Sequence, residues 1–135
     1  MFENAVYDGI PDVLAELTSR KVSLFVATSK PHVYARRILE HFGLAEFFRG
    51  IYGSELDGTR SSKGELIAHV VSVARLRAAE TCMVGDRHHD ITGALHSGVL
   101  PVGVLWGYGS RSELAEAGAA RLIEEPRELG RLVLK

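Results

Sequence analysis

Short, uniformly apolar runs alternate in this chain with longer stretches in which apolar residues recur every three or four positions, and that alternation leaves few architectures open. Val22–Ala27 (VSLFVA), Thr81–Val84 (TCMV) and Val102–Trp106 (VGVLW) are too short and too evenly apolar for amphipathic helices. They fit strands buried on both faces. Between them, Pro11 to Arg20, Pro31 to Phe42, Lys63 to Leu76, Ile91 to Ser97 and Ser112 to Ala117 read as helices. In the first, Pro11 sits in the opening turn and Ile10, Val13, Leu14 and Leu17 form a stripe; Gly43 stops the second, and Ser112 is read as the cap of the last. A short strand around Gly50–Gly53, a weak edge strand at Arg121–Glu124 and a closing helix from Pro126 complete the pattern. Strands alternating with helices predict an α/β domain with a mainly parallel sheet.

The chain has 135 residues, 46% of them hydrophobic, enough for one core, and no repeat, linker or low-complexity stretch divides it, so residues 1–135 read as a single domain. Sixteen Lys and Arg stand against 17 Asp and Glu. Such a balance gives no electrostatic reason to expect nucleic acid or an anionic membrane, and a small molecule or another protein is the expected partner. No stretch approaches the ~18 apolar residues of a membrane span, and Met1–Asn4 carries no basic patch followed by an apolar run; the expectation is a cytoplasmic protein. The single cysteine, Cys82, lies within TCMV and reads as a buried, inert thiol.

Ligands of open α/β sheets bind at the carboxyl ends of the strands, so the residues directly after each apolar run carry the most information. VSLFVA is followed by Thr28-Ser29-Lys30, hydroxyls and backbone N–H groups suited to a phosphate oxygen, although, taken alone, a turn capping the next helix accounts for them better. Lys63 opens a helix, where its charge opposes the helix dipole; a buried charge partner would explain it, although an ordinary solvated lysine is the favoured reading for this residue taken alone. TCMV runs into Gly85-Asp86-Arg87-His88-His89-Asp90, whose two carboxylates at a strand end suit a hard cation such as Mg²⁺. His88 and His89 are adjacent, with no second histidine or cysteine cluster at ligand spacing, and read as solvated loop residues rather than zinc ligands.

A threonine after the second core strand, a lysine opening a later helix and a GDxxxD loop after the following strand resemble motifs two, three and four of the haloacid dehalogenase superfamily. VATSKP, GSELDGTRSSKGELI, MVGDRHHDITGA and GVLWGYGS resemble its phosphoglycolate phosphatase-like branch. The resemblance covers nearly the whole chain. It implies a three-layer α/β/α Rossmann-like core and phosphomonoester hydrolysis of a small phosphorylated metabolite. Thr28 and Ser29 would bind the phosphoryl group, Lys63 would neutralise its charge, and Asp86 would hold Mg²⁺ with Asp90 as ligand or support.

Two parts of the family pattern have no counterpart in these residues. The family's first, central strand ends in Asp-x-Asp-Gly-Thr, whose first aspartate is the nucleophile, and a helical cap follows it. Asp57-Gly58-Thr59 copies part of this but follows Ser54-Glu55-Leu56 rather than an apolar strand, and Tyr7-Asp8-Gly9-Ile10 resembles the return from cap to core. The expectation is therefore a partial core, inactive alone, that binds Mg²⁺ weakly. A non-catalytic module that keeps the pocket for sensing or assembly is the alternative; a receiver-type domain is disfavoured, because Thr28 and Lys63 precede Asp86 here. Without a central strand, the strands ending near Thr28 and Asp86 must either pair directly or admit an extended segment, Phe2–Tyr7 or one from a second copy. Self-association is expected on that ground.

Overall fold

The computed structural model describes residues 9–54 and 62–133. In chain order these form α1 (Ile10–Ser19), β1 (Phe25–Pro31), α2 (His32–His41), β2 (Gly50–Ser54), α3 (Lys63–Val73), β3 (Cys82–Gly85), α4 (His88–Ser97), β4 (Leu100–Val104), α5 (Arg111–Ala117), β5 (Arg121–Ile123) and α6 (Glu128–Val133). Every strand pair is parallel, as connections through helices require. Among the described residues the strands form two pieces, β1-β2 and β3-β4-β5.

The alternation of side chains along a strand shows which helices cover which face. Cys82 and Val84 of β3 join a core built from Val13 and Leu17 of α1, Val102 and Val104 of β4, Ile123 of β5 and Leu129 of α6. Met83, between them, packs instead against Ile67 of α3, Ala94 of α4 and Val99. Leu114 of α5, fully buried, lies on that second face against Gly103. Helices thus flank the sheet on both sides in three layers. Each of the fully buried side chains Leu66, Ile91, Leu114 and Val102 contributes about 1.5–3 kcal/mol of apolar burial.

The strand expected at Val22–Ala27 lies three residues further on, and the reason is the end of α1. Arg20 caps that helix, Lys21 adopts φ 65°, and the N–H groups of Lys21 and Val22 return to the carbonyls of Thr18 and Leu17. This is a Schellman closure with lysine in place of the usual glycine, and it consumes Val22. Pairing with β2 then runs Phe25↔Gly50, Val26↔Ile51 and Ala27↔Tyr52, slips, and resumes at Pro31↔Ser54. Thr28–Lys30 therefore occupy an irregular stretch inside β1 rather than a loop after it. β4 also starts two residues earlier than expected, at Leu100, and α5 is capped by Ser110, whose hydroxyl accepts the Glu113 N–H, not by Ser112.

Burial corrects a second expectation. Phe25–Thr28 of β1 and Cys82–Val84 of β3 are half-buried, whereas Pro101–Val104 of β4 are buried. Only β4 has a described strand on each side. Direct pairing of β1 with β3 does not occur among the described residues. The other occupant considered, Phe2–Tyr7, lies outside them, as do Asp8 and Asp57–Thr59.

Candidate functional site

Lys63 is the first residue of α3, a helix whose cap, Ser62, accepts the Glu65 N–H. A lysine there meets the positive end of the helix dipole and needs a counter-charge. Its Nζ lies 2.9 Å from Oδ1 of Asp90, and the two side chains are 9% and 6% exposed. The same ammonium donates to the carbonyl oxygen of Ala27 at 3.1 Å. An ammonium has three donors. Among the described residues the third is not engaged.

The approach of α3 to α4 depends on small residues. A Cβ on Gly93 would stand 3.1 Å from the Gly64 nitrogen and the Lys63 carbonyl carbon, so Gly93 allows the close crossing that brings Lys63 to Asp90. Both carboxylate oxygens of Asp90 are engaged. Its Oδ2 accepts the N–H groups of Asp86, at 3.1 Å, and Arg87, at 3.2 Å. Because the turn folds back on this carboxylate, α4 begins at His88, three residues before the expected Ile91.

Asp86 itself leaves the end of β3 half-buried, and its Oδ2 accepts the Tyr108 N–H at 3.0 Å. Its Oδ1 takes no hydrogen bond among the described residues. The segment beyond β4 lies flush against it: a Cβ on Gly107 would collide with the Asp86 side chain, and one on Gly109 with the Asp86 carbonyl oxygen. Thr28 stands next to Ala27, whose carbonyl holds Lys63; its hydroxyl accepts the Lys30 N–H at 3.2 Å. That amide, expected to be open to a ligand, is thus already engaged. The side chain of Ser29 lies outside the described set. Lys63, Asp90 and Asp86 are thus linked by direct contacts beside the end of β3, and Thr28 follows Ala27, whose carbonyl holds Lys63.

Glu113 was not legible as part of this cluster. Its Oε2 accepts from Arg87 Nε at 2.9 Å and from His88 N at 2.8 Å, and lies 3.1 Å from His88 Nδ1. The Arg87 side chain, then the His88 N–H, then the His88 ring hold its carboxyl down to about 2. A signal existed in Ser110-x-x-Glu113, a capping-box spacing. The box is only half formed, since Glu113 reaches across to the other loop. His88 and His89 are exposed, as expected, with their rings 5.3 Å apart edge to face. No group of three His, Cys, Asp or Glu able to hold a metal occurs among the described residues. Burial raises the Cys82 thiol above its usual range, consistent with an inert side chain. No described helix is long and apolar enough to cross a membrane.

Comparison with known proteins identifies the family. The family of haloacid dehalogenase-like hydrolases matches residues 3–104. A 5'-nucleotidase of Pseudomonas aeruginosa is 51% identical over 114 residues, covering 84% of this chain and 52% of the relative. The tyrosine-protein kinase PtkA of Mycobacterium tuberculosis is 46% identical over 106 residues, 78% of this chain and 36% of its own length. A phosphoglycolate phosphatase of Neisseria meningitidis is 34% identical over 108 residues, 80% of this chain and 46% of the relative. The chain thus spans between about a third and about half of the length of these curated relatives. The crystal structure of a predicted phosphatase from Clostridium acetobutylicum superposes with a TM-score of 0.93 at 41% identity, covering 96% of this chain and 60% of that one. With its parallel three-layer fold, its Thr28, Lys63 and GDxxxD residues at the strand ends and the family match over residues 3–104, the chain belongs to the haloacid dehalogenase-like hydrolases.

Proposed function

We propose that this chain supplies the phosphate-holding and cation-holding part of a phosphomonoester phosphatase. The observation that carries the reading is Lys63: an ammonium buried to 9% exposure, fixed by Asp90 and the Ala27 carbonyl, with one donor not engaged among the described residues. A cation buried for structure alone would be expected to satisfy all its donors within the protein. Thr28 accepts from the Lys30 amide, so its own hydroxyl hydrogen remains to donate to a phosphoryl oxygen. Lys63 offsets the negative charge of that group, the main requirement of phosphoryl transfer.

Asp86 fits a hard cation, because it presents an oxygen that no described residue occupies while Tyr108 orients the carboxylate. Mg²⁺ there would supply further positive charge next to the phosphoryl oxygens. Asp90 acts through others in this reading: both its oxygens are engaged, and it steers Lys63 and the Asp86 turn. With one such ligand and no three-residue cluster among the described residues, Mg²⁺ affinity is expected to be weak. The sequence also has no Asp-x-Asp run to supply an attacking carboxylate. The relatives' names differ in substrate, so the proposal stops at a phosphomonoester.

The test is a Mg²⁺ titration by calorimetry together with hydrolysis of p-nitrophenyl phosphate by the 135-residue chain. Expected are millimolar binding lost in Asp86→Asn, and hydrolysis at background. Tight binding, or turnover abolished by Asp86→Ala or Lys63→Ala, would show that the chain carries a complete site.

A further inference from the structure

The geometry points to Glu113 as a positioning residue for Asp86, acting through the turn Asp86-Arg87-His88 and never touching the cation or substrate itself. This rests on the reading of Asp86 as the cation ligand. The three consecutive backbone N–H groups of the turn all donate to carboxylates: those of Asp86 and Arg87 to Asp90, and that of His88 to Glu113. Two acidic side chains from different elements therefore hold the turn, Asp90 from inside α4 and Glu113 from α5. The Asp86 side chain, on the same turn, meets the Tyr108 amide.

Glu113 is well placed to hold anything rigidly. Its own backbone N–H is fixed by the Ser110 hydroxyl, and the next residue, Leu114, is fully buried in the core. Its carboxylate sits at the amino end of α4, where the helix dipole favours a negative charge. The contact with Arg87 alone would mean little, since ion pairs this accessible contribute little; Arg77–Glu80 and Arg111–Glu124 are of that kind. What separates Glu113 from them is that a single oxygen also takes the His88 amide and ring. The same polypeptide segment closes the other side of the site, for Tyr108 donates to Asp86 five residues before Glu113, and Gly107 and Gly109 lie flush against it. α5 and its preceding loop thus form one clamp around Asp86, with the Tyr108 amide on the carboxylate and Glu113 on the backbone that follows.

The test uses the full chain as wild type, Glu113→Ala, Glu113→Gln and, as a control on the exposed side of α5, Glu116→Ala. Two readouts are needed, Mg²⁺ affinity by calorimetry and protection of the Tyr108 amide from hydrogen exchange. Loss of a group that orients a metal ligand commonly costs tenfold or more, so Glu113→Ala is expected to weaken Mg²⁺ about tenfold. It should also lower Tyr108 protection by a comparable factor, with Glu113→Gln between it and wild type and Glu116→Ala unchanged. Glutamine keeps an acceptor oxygen, so it remains informative if the alanine variant does not fold. Unchanged affinity and unchanged protection in Glu113→Gln and Glu113→Ala would overturn the assignment. A wild-type chain with no Mg²⁺ binding, yet with Tyr108 protection lost in Glu113→Ala, would refute the cation reading and leave the positioning role standing. If neither appears, both fall.

Discussion

β4 and β1 are both written in apolar residues, yet one is buried and the other is not. β4 has β3 and β5 as neighbours and helices on both faces, and Pro101–Val104 are all buried. β1 pairs only with β2 among the described residues, its ladder slips after Ala27, and Phe25–Thr28 stay half-buried. Apolar composition sets what a strand can bury; the number of neighbours sets what it does bury. The candidate site lies on the seam between the two regions, where Lys63 joins Ala27 of β1 to Asp90 and so to the turn after β3. A buried charge pair is a costly way to join two pieces of a sheet unless the charges have a further use.

That seam gives the largest expected effect. Asp90→Ala would leave the Lys63 ammonium buried without its counter-charge and release the Asp86 and Arg87 amides. Breaking one side of a buried pair costs about 3–5 kcal/mol, so urea denaturation should show a loss of that size or failure to fold. Replacing both members, as in Lys63→Met with Asp90→Leu, should recover part of the loss. If the single variant were less stable by under 1 kcal/mol, roughly the value of an exposed pair, the seam would not hold the regions together.

A matched pair of substitutions measures the contrast in burial directly. Val102→Ala in β4 removes two methyl groups from a fully buried site and should cost about 2–3 kcal/mol, the transfer term plus the cavity left behind. Val26→Ala in β1 deletes the same atoms from a half-buried site, and about 1 kcal/mol is expected. Equal losses in denaturation would mean that β1 is covered in solution, by another part of the chain or by a second copy. Light scattering at the same concentration would distinguish those two.

What the sequence made legible follows the same physical lines. Thr28, Lys63, Asp86 and Asp90 could be found because a parallel sheet gathers its strand ends along one edge, and each stands near the end of an apolar run or opens a helix. A partner for Lys63 could be suggested on dipole grounds, against the plainer reading of a solvated lysine, but not chosen, since Asp90 lies 27 positions away on another helix. The start of β1 was misplaced because Lys21 takes a left-handed conformation that usually announces itself by glycine, so nothing marked Val22 as belonging to the helix end. Glu113 was invisible for a different reason. Its partners are 25 and 26 residues distant, and its spacing from Ser110 already had a local explanation.

The smallest effect expected is one of pH, and it separates the site from the far edge of the sheet. Glu113 falls from an ordinary 4.5 to about 2, chiefly through Arg87 and then the His88 amide. A carboxylate depressed on folding adds stability that is complete above its unfolded value and lost as pH falls through the folded one, here between about 4.5 and 2. Glu128 is lowered as well, by the amides of Glu125 and then Glu124, so it contributes in the same acid range from the segment that follows β5. Melting temperature followed from pH 6 to pH 2 should therefore decline less steeply in Glu113→Gln and in Glu128→Gln than in wild type. Only the first substitution should change the exchange of the Tyr108 amide at pH 6. A Tyr108 response to Glu128→Gln would show that acid acts on the chain as a whole, and that the clamp around Asp86 has no separate titration of its own.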